Sequence, residues 1–188
     1  QGGKKLDELF ERTSKLLIDQ IDSLSRMASE FSSFAKMPED KYVDFNLSEA
    51  LHQIVDLFRR NEKVDIEADI EDNVFVHADP EQIKRVFNNL IKNGIQAIPE
   101  SRKGKLDISL KASGGKAVVS VKDNGKGISA DLGSKIFEPN FSTKTSGMGL
   151  GLAISKKIVE TAKGSLEFTT ELDKGTAFVL KLPMVNEV

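Results

Sequence analysis

Apolar positions divide this chain into two stretches with different periods. Between Leu6 and Phe34 they fall at Leu6, Phe10, Leu17, Leu24, Met27, Phe31 and Phe34, with Thr13 and Gln20 filling two gaps in an alternating four-three spacing. That heptad register predicts one long helix. A second row, Leu9, Leu16, Ile21, Ala28 and Ala35, widens the stripe beyond the seam of a two-stranded coil, so a helical bundle is the expected setting. One helix cannot bury such a face alone. Its partners are expected from a second copy of the chain or from a segment outside it. A helix folded back on its own domain fits a stripe of about four heptads less well. Pro38 with Glu39-Asp40 reads as stop and linker, dividing residues 1–38 from 39–188.

After the linker the pattern alternates between short strands and amphipathic helices. Tyr42 to Phe45 reads as a strand, Leu47 to Phe58 as a helix, Val64 to Ile70 as a half-buried strand and Val74 to Val76 as a shorter one. Asp79-Pro80-Glu81 is a helix start, with a capping carboxylate, a preset φ and an acidic first turn. That helix runs through Ile83, Val86, Phe87, Leu90, Ile91 and Ile95 to Ile98, before Pro99. Leu106 to Leu110 and Ala117 to Val121 form a hairpin around Ser113-Gly114-Gly115, and Leu166 to Thr170 and Ala177 to Leu182 a second across Asp173-Lys174-Gly175. The expected fold class is α+β: a mixed, mostly antiparallel sheet with helices on one face, an α/β sandwich preceded by the heptad helix.

Composition narrows the function. The chain has 188 residues, 39% hydrophobic and 30% charged, enough for a real core in one domain plus an appendage. A net charge of −2 gives no general electrostatic reason to bind nucleic acid or an anionic membrane, and neither is expected as a partner. Zero cysteines exclude disulfides and thiolate metal sites, which suits a reducing cytoplasm. No apolar run reaches the roughly 20 residues that span a bilayer, so any membrane anchor of a larger parent is expected elsewhere. Gln1-Gly2-Gly3 is an unusual natural beginning and reads as an artificial junction.

Four short motifs carry the chemistry. Asn89 and Asn93 stand four apart in Asn89-Leu90-Ile91-Lys92-Asn93 and share a helix face. A carboxamide oxygen suits Mg²⁺, which takes one or two protein oxygens beside substrate phosphates; taken alone, two solvated asparagines are the simpler reading. Asp123 ends an apolar strand before Asn124-Gly125-Lys126-Gly127-Ile128. An ionised carboxylate only accepts hydrogen bonds, so it can read an exocyclic amine such as that of adenine, and the glycines let backbone approach a planar base. An ordinary Asp-Asn-Gly turn has the same letters. Phe137 to Lys144, with Glu138, Pro139 and Thr143, has the polarity of a mobile lid, from which Lys144 could reach a phosphate. Gly147, Gly149 and Gly151, with Leu150 and Leu152, open an apolar-periodic helix and offer bare amides and a positive helix end to phosphates. The spacing is neither a P-loop nor a Rossmann turn.

In this order the motifs resemble the N, G1, F and G2 boxes of the GHKL superfamily, which contains gyrase-type ATPases, Hsp90, MutL and two-component sensor histidine kinases. The resemblance covers about residues 43–183, and Gly175-Thr176-Ala177-Phe178 is similar to its G3 element. It implies a Bergerat-type ATP-binding sandwich, with ATP and Mg²⁺ as cofactors and Asn93 on the metal. Asp123 would read adenine, flanked by Gly125, Gly127, Ile128 and Thr176, with Lys144 on the lid and Gly147, Gly149, Leu150, Gly151 and Leu152 near the phosphates. Hydrolysing members carry a glutamate base one turn before the metal-binding Asn. Here that position is Asn89, which has no titratable group, so the expectation is phosphoryl transfer with Asn89 and Lys144 as its direct participants. The heptad helix ending in Phe31-Ser32-Ser33-Phe34-Ala35-Lys36-Met37-Pro38 is similar to the second dimerisation-hairpin helix of sensor kinases, especially the nitrogen-regulation type. The implied partners are an acceptor-histidine hairpin helix, a response-regulator receiver domain and a second protomer. Neither His52, followed by Gln53, nor His77, followed by Ala78-Asp79, fits the acceptor pattern, so the acceptor is expected outside this chain. A scaffold without transfer is the alternative, and a DNA-linked ATPase a third branch. Gln96, where relatives carry a basic residue, and Gly94, where alanine is usual, depart from the family pattern.

Overall fold

The computed structural model describes residues 10–18, 20, 21, 24, 25, 41–61, 63–133, 135–139, 141 and 149–185, which fall into two compact units. In the first, residues 10–18 are helical, as are 20, 21, 24 and 25. Phe10, Leu17 and Leu24 of the heptad row and Leu16 and Ile21 of the second row are all more than half exposed. The remaining members of both rows, Leu6, Leu9, Met27, Ala28, Phe31, Phe34 and Ala35, lie outside the described residues, as does the Pro38 linker.

Among its described residues the second unit carries a seven-stranded sheet and four helices. In chain order these are β1 (Val43–Asn46), α1 (Leu47–Phe58), β2 (Val64–Ile70), β3 (Phe75–Ala78), α2 (Pro80–Ala97), β4 (Gly104–Ser113), β5 (Lys116–Asp123), α3 (Ala130–Gly133), α4 (Gly151–Thr161), β6 (Ser165–Glu171) and β7 (Gly175–Val185). The sheet order is β1-β3-β7-β5-β4-β2, with β6 pairing β7. Only β2 and β4 pair in parallel, because β3 and α2 form the long crossover between them. All other pairs are antiparallel, and the expected mixed sheet is what forms.

Alternation along the long strands decides which face is covered. Leu106, Ile108 and Leu110 of β4, Val119 and Val121 of β5, and Phe178, Leu180 and Leu182 of β7 are buried. From the helix layer the buried residues are Ile83, Val86, Phe87, Leu90 and Ile91 of α2 with Ile154, Ile158 and Val159 of α4. Removing a side chain such as Phe87 from this layer would cost about 3–5 kcal/mol. The opposite strand face is solvated and lined by cross-strand ion pairs. Lys105 sits 3.0 Å from Glu67 and 3.1 Å from Asp107, which raise its pKa, the Glu67 contact most. Such exposed pairs mark register more than they stabilise.

Most strand boundaries differ from the sequence expectation by one to three residues, and two of the shifts have a clear local reason. The third strand starts at Phe75 because Val74 is engaged elsewhere: its carbonyl accepts Leu47 N–H at 2.8 Å and its own N–H bonds Ser48 Oγ at 3.1 Å. The first hairpin runs on to Ser113 and Lys116, since Gly114 and Gly115 both take positive φ (57° and 72°) and turn the chain within two residues. The single turn α3 had no periodic signal to reveal it.

Candidate functional site

The site is organised around α2, whose start is held firmly. Asp79 Oδ1 accepts from the N–H groups of Glu81 (2.9 Å) and Gln82 (3.2 Å), with Pro80 in the first turn. Its other oxygen accepts from Lys41 N–H at 3.1 Å, which ties the segment entering β1 to the same helix end. From there α2 passes Asn89 and Asn93 over the start of α4, then brings Gly94 against the end of β5.

At that end Asp123 is only 4% exposed. Oδ1 accepts from Gly125 N–H at 2.8 Å and from Thr176 N–H at 3.2 Å. Oδ2 takes no hydrogen bond from the described residues, and no buried side-chain N or O atom among them lacks a partner, so Oδ2 keeps contact with solvent. Burial raises the Asp123 pKa above the ordinary carboxylate value, and the two backbone donors offset part of the rise. A buried carboxylate with one oxygen fixed and the other facing outward is an acceptor for a neutral amine donor. Gly94 is what lets the helix come so close: a Cβ there would stand 2.8 Å from Leu106 Cδ2 and 3.3 Å from Asp123 Cβ.

Backbone and three further side chains hold this end rigid. Lys126 N–H bonds Ala97 O at 3.0 Å, and Gly125 packs so tightly that a Cβ would lie 2.7 Å from the same oxygen. Arg102 Nη1 donates to the carbonyls of Asn124 (2.6 Å) and Gly125 (3.0 Å). Asn124 Oδ1 accepts from Lys105 N–H at 2.9 Å, and its Nδ2 donates to Lys103 O at 3.0 Å. Thr170 Oγ1 accepts from Ile128 N–H at 2.9 Å and stands 3.1 Å from Thr176 Oγ1, so the turn after β5 is stitched to the β6–β7 hairpin. Gly175, at φ 117°, faces the Asp123 carbonyl where any Cβ would overlap it. Gly127, at φ 69°, passes the Glu171 carbonyl in the same way.

The other end lies at the start of α4. Leu150 is its N-cap residue, and among the described residues no side-chain capping hydrogen bond is made at this helix start. Asn89 Nδ2 donates to Ser155 Oγ at 2.9 Å, and Asn93 Nδ2 donates to Asn89 Oδ1 at 3.3 Å. Gly151 has a reason beyond phosphate approach: a Cβ there would lie 2.6 Å from Asn89 Oδ1. Gly149 packs on the Phe141 carbonyl. Phe137, beneath Lys156 Nζ at 4.9 Å and against Phe168, anchors the beginning of the loop. Lys144 and Gly147 lie outside the described residues, as do residues 142–148 generally.

Among the described residues there is no cluster of three or more His, Cys, Asp or Glu that could hold a metal. The donor set beside α4 is neutral carboxamide. That chemistry fits a Mg²⁺ ion whose remaining ligands are waters and the oxygens of a bound polyphosphate, and it does not fit an all-protein cage.

Residues 78–186, more than half of the chain, match the family model described as histidine kinase-, DNA gyrase B-, and HSP90-like ATPase. The chain belongs to this ATPase family. Sporulation kinase B of Bacillus subtilis is 31% identical over 172 residues, 90% of this chain and 40% of that protein. Nitrogen regulation protein NtrY of Azorhizobium caulinodans is 31% identical over 166 residues, covering 85% of this chain and 22% of that protein. The catalytic domain of histidine kinase ThkA superposes with a TM-score of 0.68 at 34% identity, over 76% of this chain and 95% of that domain. ThkA solved in complex with response regulator TrrA gives 0.74 at 28%, over 90% and 50%. The chain thus spans about two fifths of Sporulation kinase B.

Within this ATPase domain, three residues were not singled out from sequence. Thr170 was readable, because the predicted hairpin places it opposite Thr176. Arg102 and Ser155 carried no signal: their partners are 22 and 66 residues away and depend on how β4, β5, α2 and α4 pack.

Proposed function

We propose that this domain binds ATP for a sensor histidine kinase and supports transfer of the γ-phosphoryl group to a histidine. Residues 1–38 would supply part of the dimerisation hairpin and 39–188 the catalytic domain. The acceptor histidine is expected on a hairpin helix from another segment or a second protomer. The observation that carries the reading is the side chain one helical turn before Asn93. Asn89 is a carboxamide already hydrogen-bonded to Ser155, so no base stands where a hydrolysing relative would activate water.

In this reading Asp123 Oδ2 accepts from the adenine amino group while Gly125, Gly127, Ile128 and Thr176 shape the base pocket. Asn93 would hold Mg²⁺, which neutralises polyphosphate charge when bound. Gly147, Gly149, Leu150, Gly151 and Leu152 would face the phosphates at the open end of α4, with Lys144 closing over them. The chain's own contribution is orientation and charge complementarity, which dominate phosphoryl transfer. The downstream partner would be a response-regulator receiver domain, by analogy with ThkA and TrrA, and the setting cytoplasmic. No described helix is long and apolar enough to cross a membrane, which suits a catalytic piece whatever anchors its parent.

Titration with a fluorescent ATP analogue, with and without Mg²⁺, tests the site. Binding by the wild-type chain and its loss in Asp123→Asn is expected; undiminished binding by the variant would remove the assignment. Mixing the chain with a separate acceptor hairpin and radiolabelled ATP tests the reaction. Phosphohistidine is expected, and ATP binding without any label on the hairpin would favour a nucleotide-binding scaffold instead.

A further inference from the structure

Arg102 holds two successive peptide groups by their oxygens. It lies half-buried in the loop between α2 and β4, and its Nη1, which carries two N–H groups, donates to Asn124 O at 2.6 Å and to Gly125 O at 3.0 Å. Among the described residues no other side chain donates to either oxygen. Both peptides are trans, so C=O and N–H point to opposite sides and a grip on the oxygen also aims the hydrogen. For the peptide joining Asn124 to Gly125 that hydrogen goes to Asp123 Oδ1 at 2.8 Å, and for the next, joining Gly125 to Lys126, to Ala97 O at 3.0 Å. Each plane is thus fixed at both edges. The residues of the turn do not impose this orientation by themselves. Glycine tolerates either sign of φ, so the 124–125 peptide could invert and set its carbonyl oxygen against the Asp123 carboxylate. The Asn124 side chain ties the turn to Lys103 and Lys105 but bonds neither group of that peptide.

We propose that Arg102 is a positioning residue for recognition of the base, acting through Asp123. By keeping the 124–125 N–H on Asp123 Oδ1, it decides which carboxylate oxygen is spent on the protein and leaves Oδ2 as the acceptor for an exocyclic amine. The inference rests on the reading of Asp123 as the acceptor for the adenine amino group. Thr176 N–H also holds Oδ1, at 3.2 Å, but it belongs to β7 and has no contact with the guanidinium. Removing the guanidinium therefore leaves the carboxylate tethered by one donor of two. It can then turn, and the acceptor is no longer fixed where the amine would meet it.

The test compares the 188-residue chain with its Arg102→Met and Arg102→Lys variants. Calorimetry would be run with a non-hydrolysable ATP analogue and with its 6-oxo counterpart, in which a carbonyl oxygen replaces the amino group. The ratio of the two affinities reports how well the amine is read. Wild type is expected to favour the amino form. Arg102→Met, which keeps the length of the stem but has no donor, should lower the ratio roughly tenfold, and Arg102→Lys, which presents three N–H groups, should recover most of it. An independent check uses ¹⁵N-labelled protein: exchange of Gly125 N–H with solvent should accelerate in Arg102→Met while Thr176 N–H, on the same oxygen, stays slow. An unchanged ratio, an equal loss of both analogues, an unaltered Gly125 amide or an equal acceleration at Gly125 and Thr176 would each overturn the proposal. Unfolding of Arg102→Met would make the residue a stability element and overturn it as well. If wild type binds nucleotide without favouring the amino form, the Asp123 reading and this inference fall together. If wild type binds no nucleotide, the proposed function fails first.

Discussion

The two ends of the site are built in opposite ways along the same helix. At the Asp123 end almost everything is backbone: turn amides on a carboxylate, glycines against carbonyls, Arg102 across two peptide oxygens. At the Gly151 end the contacts are a relay of side chains and a helix start without a cap. A planar base is recognised by a fixed edge, which rigid backbone supplies. In the proposed function polyphosphate would need backbone donors at a helix start, and a side-chain cap there would compete for those amides. The contrast with α2 makes the point, since Asp79 consumes the donors at its beginning.

The largest expected effect should come from breaking the rigid end. Gly175→Ala forces a Cβ into the Asp123 carbonyl at φ 117° and should destabilise the domain by about 3 kcal/mol or more, measured by urea unfolding. A loss below about 1 kcal/mol would mean that this end is not rigid. Asp123→Asn comes next. It keeps an Oδ1 acceptor for Gly125 and Thr176 but replaces Oδ2 by a donor, so analogue affinity should fall about a hundredfold without loss of fold.

The same residue predicts a pH dependence. Because the folded pKa of Asp123 is raised, chiefly by burial, its contribution to stability is full below the unfolded carboxylate pKa and is lost as pH rises through the folded value. Asp123→Asn should therefore be no less stable than wild type at pH 7 and should gain relative to it as pH rises through that window, read from paired thermal melts. Wild-type analogue binding should weaken on acidification at a pH above that of an ordinary aspartate.

At the open end, Gly151→Ala should change stability by less than about 1 kcal/mol, since the helix gains propensity and the neighbour is a movable side chain. Its Mg²⁺-dependent affinity should nonetheless drop about tenfold, as a displaced Asn89 predicts. An equal loss of stability and affinity would erase the distinction between the two ends. The smallest effect is expected at Asp79→Ala, about 1 kcal/mol from a lost cap with analogue affinity unchanged.

Periodicity and punctuation made most of the second unit legible. Leu47 to Phe58 and Val64 to Ile70 form as expected to the residue, because apolar spacing, the Asn46 cap and the alternation at Val64 all act locally. The motif residues were legible as types: a carboxylate at a strand end, glycines before a helix, two asparagines a turn apart. Their partners were not, because Asn89 reaches Ser155 across 66 residues and Asp123 reaches Thr176 across 53.

The sequence by itself determined most of the elements, the α+β class and the chemical vocabulary of the site, since these depend on contacts within a few residues. Only the tertiary structure decided which oxygen of Asp123 stays open and why positions 94 and 175 leave no room for a side chain. Those outcomes depend on how closely α2 approaches α4 and β5, a distance that packing of the whole core sets.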